Sequence, residues 1–136
     1  MKRIFQFLGC SALLGLLLVP SAQSQLSQEN IRVDNLMQMK LRSSQSLLAG
    51  LTLEDYELIL RESQRLQLLN LDAGWNTVQT KDYSRISQEF RAAARKIHQA
   101  AEAKNVDAAA IGYFQLTTSC IDCHRHVRTV RAQTHR

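Results

Sequence analysis

The sequence predicts an all-α protein, an antiparallel up-and-down bundle of four helices. Three observations predict it. Apolar residues return at three- and four-residue steps along the chain beyond residue 24, no run shows sustained two-residue alternation, and helix breakers are few. Proline occurs once, at Pro20, and beyond residue 24 glycine occurs only at Gly50, Gly74 and Gly112. Short links between helices of similar length favour antiparallel neighbours.

The chain has 136 residues, enough for one domain. Its opening has Lys2 and Arg3, an apolar run from Ile4 to Val19, then Pro20 and small residues. That order matches a secretory signal peptide over residues 1–24, with Ala22 and Ser24 before the cleavage point and Gln25 as the new N-terminus. The run contains Gln6 and falls short of the ~20 apolar residues of a spanning helix, so no stable membrane span is expected after cleavage; an uncleaved anchor is the alternative. Loss of Lys2 and Arg3, with no acid lost, lowers the formal charge from +5 to +3, which gives no footing for nucleic-acid binding. Loss of Cys10 leaves Cys120 and Cys123 as the only thiols of the expected mature domain, residues 25–136.

The first helix is expected from Ser27 to Ala49. Val33, Leu36, Met37, Leu41, Leu47, Leu48 and Leu51 would form its buried stripe, and Gly50 the C′ position that ends it. Thr52-Leu53-Glu54-Asp55 resembles a capping box for a second helix, which continues through Tyr56, Ile59, Leu60, Ser63 and Leu66 to about Leu69. Asn70 to Thr80 reads as an irregular link whose one large apolar residue is Trp75. The third helix runs from Lys81 to Lys104, with Ile86, Phe90, Ala93, Ile97 and Ala101 on one face and Asn105 as its C-cap. The fourth begins at Asp107 and runs to about Ala132. Several inward positions are small (Ser44, Ala93, Ala94, Ala101, Ala109), which lets helices approach closely and equally leaves room for a large flat group.

The fourth helix carries Cys120-Ile-Asp-Cys123-His124, a C-x-x-C-H motif. Residues at i, i+3 and i+4 share a helix face. Covalent haem attachment needs this arrangement: two thiols add to the two vinyl groups of one porphyrin, and the adjacent imidazole reaches the iron. A thioredoxin-like dithiol belongs at a helix N-terminus in a mixed fold, and a structural zinc site wants four ligands, usually from two such pairs. Here only His98 could join a zinc site, because His126 lies nearly opposite His124 and His135 is in the tail. Haem c, held by Cys120 and Cys123 with His124 as proximal ligand, is the favoured reading; a periplasmic zinc or thiol-redox module is the alternative without haem.

A secreted four-helix chain with C-x-x-C-H near its C-terminus resembles the cytochrome c′ family and its low-spin, methionine-ligated relatives. The matching segments are NLMQMKLRSSQSLLAGL in the first helix, the link around Trp75, and TTSCIDCHRHVR. The resemblance implies a bundle enclosing one covalently attached haem, with Arg128 as the basic residue four positions beyond His124. It also implies that the first helix covers the distal face of the iron. Met37 is the candidate distal ligand, because Met37 and Met39 stand about 200° apart on a helix and Met39 falls on the polar side. An iron closed by Met37 would pass electrons; one left open would bind nitric oxide or carbon monoxide. Core filling is the other use of Met37. Lys40, Arg125 and Arg128 are candidates for haem propionates. The function expected is periplasmic electron transfer without enzyme activity, with Arg125, Arg128, Arg131 and Arg136 available to an acidic redox partner protein. Homodimerisation through helices one and two is common among the resembling proteins.

Overall fold

A computed structural model describes residues 22–72, 75 and 78–134. The expected signal segment therefore lies outside the described residues up to residue 21, as do His135 and Arg136. Four helices account for most of what is described: α1 (Ala22–Leu53), α2 (Tyr56–Leu69), α3 (Lys81–Glu102) and α4 (Val106–Thr134). Among the described residues there is no strand, and no helix is long and apolar enough to cross a membrane. Helices consecutive in the chain pack against each other, α3 and α4 most extensively. α1 and α4 touch more sparingly than the consecutive helices do, although both contribute to one core.

The two short links use one device, which differs from the expected caps. α1 runs through Gly50 and ends at Glu54, whose φ is 53°, a left-handed conformation uncommon for a residue with a Cβ. The Asp55 N–H donates to the Gly50 carbonyl at 2.9 Å and the Glu54 N–H to the Leu51 carbonyl at 3.4 Å, the Schellman pattern. Asp55 then caps α2 by accepting from the Leu58 N–H at 2.9 Å. α3 ends the same way at Lys104, φ 52°, with the Asn105 N–H donating to the Ala100 carbonyl at 2.9 Å. Asn105 is thus not the C-cap of α3: its side-chain oxygen accepts from the Ala108 N–H at 2.9 Å and caps α4. Gly50 is not a terminator either. It is buried inside α1, and a Cβ there would meet Ile59 Cγ1 at 3.0 Å, so its smallness serves the approach of α1 to α2.

The α3 stripe is as the spacing predicts: Ile86, Phe90, Ala93, Ile97 and Ala101 are all buried. Trp75, from the link, is buried too and is held at three points. Its Nε1–H donates to Ser87 Oγ at 2.7 Å, its carbonyl accepts from the Tyr83 hydroxyl, and its ring lies 4.9 Å from that of Phe90. The closest approach of α3 to α4 is at Gly112, where a Cβ would stand 2.9 Å from Ile97 Cγ1.

α1 departs from its expected stripe. Leu36, Leu47 and Leu51 are buried, but Leu41 and Leu48 are 52% and 50% exposed. The buried arc passes instead through Leu36, Ser43, Leu47 and Gly50, with Lys40 inside it. Met39, expected on the polar side, is partly buried against the core, as Met37 is. Leu48 and Leu41 lie about 120° and 140° round the helix from Leu36, outside that arc.

Candidate functional site

Both motif thiols lie on the inner half of α4 and pack against the core; each is free and partly buried. At 100° per residue, Cys123 and Cys120 flank the direction of the fully buried Leu116 by about 20° and 40° on opposite sides. Gly112 and His126 mark the flank toward α3, through Ile97 and through a 2.7 Å hydrogen bond between His126 Nε2 and Thr80 Oγ1. His124 stands on the opposite flank, about 80° from Leu116. The motif therefore presents two thiols inward and an imidazole at the edge away from α3.

The group that meets this motif from α1 is Lys40. Its ammonium sits 3.6 Å from the centroid of the Trp75 ring and 5.9 Å from that of Phe90. Burial lowers its pKa from 10.5 to about 8, opposed by attraction to Cys123 and Cys120. No carboxylate among the described residues is within ion-pair reach of it. Around α1, with Leu36 as zero, Lys40 stands at about 40° and Met37 at about 100° on one side, Met39 at about 60° on the other. Gly50, about 40° on the Met39 side, touches α2. The Met39 flank thus faces α2, and the flank with Lys40 and Met37 faces α4. One turn beyond Lys40, the buried Ser43 hydroxyl has no hydrogen-bond partner.

The electrostatics set the chemical state of each group. Burial raises the pKa of Cys120 and of Cys123, only partly opposed by Lys40, so both stay thiols at neutral pH. A redox dithiol depends on the opposite shift, toward thiolate. The pKa of His124 is lowered by partial burial and then by the charges of Lys40 and Arg128, so its imidazole is neutral at pH 7 and keeps a free lone pair. Arg128 reaches the site through that charge alone. Arg125, the other expected arginine, is paired with Asp122 at 2.9 Å on the surface.

Other constellations have structural explanations. His98 Nδ1 lies 3.1 Å from Ser63 Oγ, and its Nε2 lies 3.7 Å from Glu102. This resembles a nucleophile chain, but the Ser63 hydroxyl donates to the Leu60 carbonyl at 3.0 Å, so its proton is directed away from the histidine. Among the described residues no three His, Cys, Asp or Glu side chains form a metal-holding group, so a zinc site from Cys120, Cys123 and His98 has no assembled ligand set. Two surface clefts, one along Val78–Ser84 and one between α3 and α4 at Ala93 and Phe114, do not include the cysteines.

The residues around the motif fit a covalently held porphyrin. Two protonated thiols lie on the inner side of one helix with a neutral, exposed imidazole beside them at its edge, and α1 and α4 make only thin contact. Lys40 without a carboxylate and the Ser43 hydroxyl without a hydrogen-bond partner place polar atoms where a protein closed on itself gains little from them. No family model matches this chain, and comparison with curated proteins and with solved structures gives no match. The sequence made Lys40 a candidate for a haem propionate and gave Ser43 no role. The 36–40–43–47 spacing was the available signal for both.

Proposed function

We propose that this protein is a secreted monohaem c-type cytochrome that transfers electrons, built as an antiparallel four-helix bundle around its haem. The observation that carries the reading is the placement of C-x-x-C-H: two partly buried thiols packed against the core and a neutral imidazole at its exposed edge, on the flank of α4 away from α3. In attachment, each S–H of Cys120 and Cys123 adds across a vinyl C=C, sulfur to one carbon and hydrogen to the other, so no oxidant is consumed. His124 would hold the iron from the proximal side. The haem, when bound, supplies a one-electron couple, which the protein sets through axial ligands, burial and neighbouring charge.

On the far side of the porphyrin, α1 provides the cover. Met37, the distal ligand expected from the family resemblance, stands on the α4-facing flank of α1 and is the thioether that could close the site. The second reading is a five-coordinate protein that binds nitric oxide or carbon monoxide, which requires that flank of α1 to offer no ligand. Arg125 and Arg131, on the exposed face near the end of α4, would meet an acidic redox partner, and the exposed Leu41 and Leu48 give the expected homodimer an apolar face on α1. Export places the protein in the periplasm in this reading.

Expression in a host equipped for cytochrome maturation tests the proposal. A haem stain that survives denaturing electrophoresis, lost in Cys120→Ala/Cys123→Ala, supports it. A colourless product contradicts it. Reduced-state absorption with added carbon monoxide then separates the two readings, since only the open iron shifts at once.

A further inference from the structure

We infer that two copies of this chain pair through the outer face of α4, antiparallel about a two-fold axis at the level of Leu116. The inference goes beyond the haem reading and does not depend on it. On that face Ile111, Phe114 and Ile121 are 63%, 73% and 53% exposed. With Thr118 they follow i, i+3, i+7, i+10 spacing, that of a helix-pairing seam. The four fall within about 80° of arc, and the midline of the stripe stands about 180° from the buried Leu116. Asp107 and Arg125, both exposed, lie on that midline, one at each end.

The symmetry of the stripe and the charges that close it argue for a second copy as the occupant. In a two-fold pair the same patch meets itself, so every contact occurs twice. Ile111 and Ile121 lie equally far on either side of Leu116, as do Phe114 and Thr118, and Asp107 and Arg125. A two-fold at that level sets Ile111 against the partner's Ile121, Phe114 against the partner's Thr118 and Asp107 against the partner's Arg125. The apolar layers are thus closed at both ends by opposite charges. Among the described residues Asp107 has no ion pair within its own chain, while Arg125 shares Asp122 at 2.9 Å. Thr118 brings no unmet polar group into the contact, because its hydroxyl donates to the Phe114 carbonyl at 3.0 Å. Leu41 and Leu48 on α1 make only two apolar layers, with no acid and base of α1 placed equally far on either side.

The seam from Asp107 to Arg125 spans about 27 Å of helix, which places the pair at the small, reversible end of protein interfaces. Cys120 and His124 point about 140° and 100° away from its midline, so pairing leaves the motif uncovered. Arg125 is taken up in the pair, and Arg131, about 120° round the helix, remains for a redox partner.

Analytical ultracentrifugation of the matured protein tests the pairing. The wild type should dimerise with a dissociation constant below about 100 μM. Asp107→Lys sets a lysine against the partner's Arg125, and Arg125→Glu sets a glutamate against the partner's Asp107. Each variant alone should dimerise at least about tenfold more weakly. An equimolar mixture of the two restores both opposite-charge contacts in the mixed pair and should dimerise within about threefold of the wild type. Effects confined to one chain, such as loss of the acid from the first turn of α4, do not respond to mixing. Phe114→Glu should be monomeric, and Leu41→Glu should dimerise as the wild type does. If Phe114→Glu does not fold, the charge variants still decide. A monomeric wild type, charge variants that dimerise normally, or a mixture no tighter than its components would overturn the inference, as would a monomeric Leu41→Glu. A monomeric wild type that binds vesicles of phosphatidylcholine and phosphatidylglycerol would assign the stripe to a lipid surface, and the pairing would fall.

Discussion

Lys40 makes a quantitative prediction for the chain without haem. In a Cys120→Ala/Cys123→Ala background, which blocks attachment and removes thiol titration, Lys40→Met should stabilise the fold at pH 7. Lowering the pKa from 10.5 to about 8 means that holding the ammonium in its folded environment costs about 3 kcal/mol, at 1.36 kcal/mol per pH unit. The contact with Trp75 returns about 1 kcal/mol. Methionine, of similar length and uncharged, should therefore gain about 2 kcal/mol at pH 7. The sign with pH follows from linkage. The folded pKa is the lower one, so the unfolded chain binds more protons between pH 8 and 10.5, and the lysine protein regains stability as pH rises through that window. The advantage of Lys40→Met should shrink from about 2 kcal/mol at pH 7 toward zero by pH 10.5, a comparison in which the titration of Tyr113 cancels. Urea unfolding followed by circular dichroism at pH 7, 9 and 10.5 measures it. A destabilised variant at pH 7, or an advantage that does not change with pH, would refute the reasoning.

Three further outcomes follow from the packing and caps. Gly112→Ala should lower stability by about 1 kcal/mol in urea unfolding, because crowding against Ile97 at 2.9 Å and its backbone nitrogen at 3.3 Å outweighs the helix propensity gained. Lys104→Gly should raise the melting midpoint, by about 1 kcal/mol of relieved left-handed backbone strain, and Glu54→Gly should do the same at the other link. Ser87→Ala should cost about 1–3 kcal/mol, since it strands the buried Trp75 N–H, and should shift the tryptophan emission that reports its surroundings.

α3 was the most legible helix because its apolar periodicity was strong. Ile86, Phe90, Ala93, Ile97 and Ala101 form the buried face of α3 that their spacing predicts. The links were less legible. Glycine is the usual sign of a helix end, but here Glu54 and Lys104 take the left-handed positions while Gly50 sits inside α1. Asn105 can close one helix or open the next, and only its hydrogen bond to Ala108 decides between them. α1 misled in rotation, because Leu41 and Leu48 supplied apolar residues at helical spacing on a face that stays exposed. Lys40 was the informative exception on that helix: a charge inside the buried arc breaks the hydrophobic rule, and such breaks concentrate where a protein binds something. Cys120, Cys123 and His124 lie on one helix, α4, as their spacing predicts, with the thiols partly buried and the imidazole exposed. Their orientation and protonation states depended on neighbours distant in sequence.

The central claim is best tested by the intact mass of protein matured in the periplasm of a cytochrome-competent host, with thiols counted in the denatured chain. The account predicts the mature polypeptide plus one haem and no titratable thiol. A bare polypeptide with both Cys120 and Cys123 reactive would contradict it.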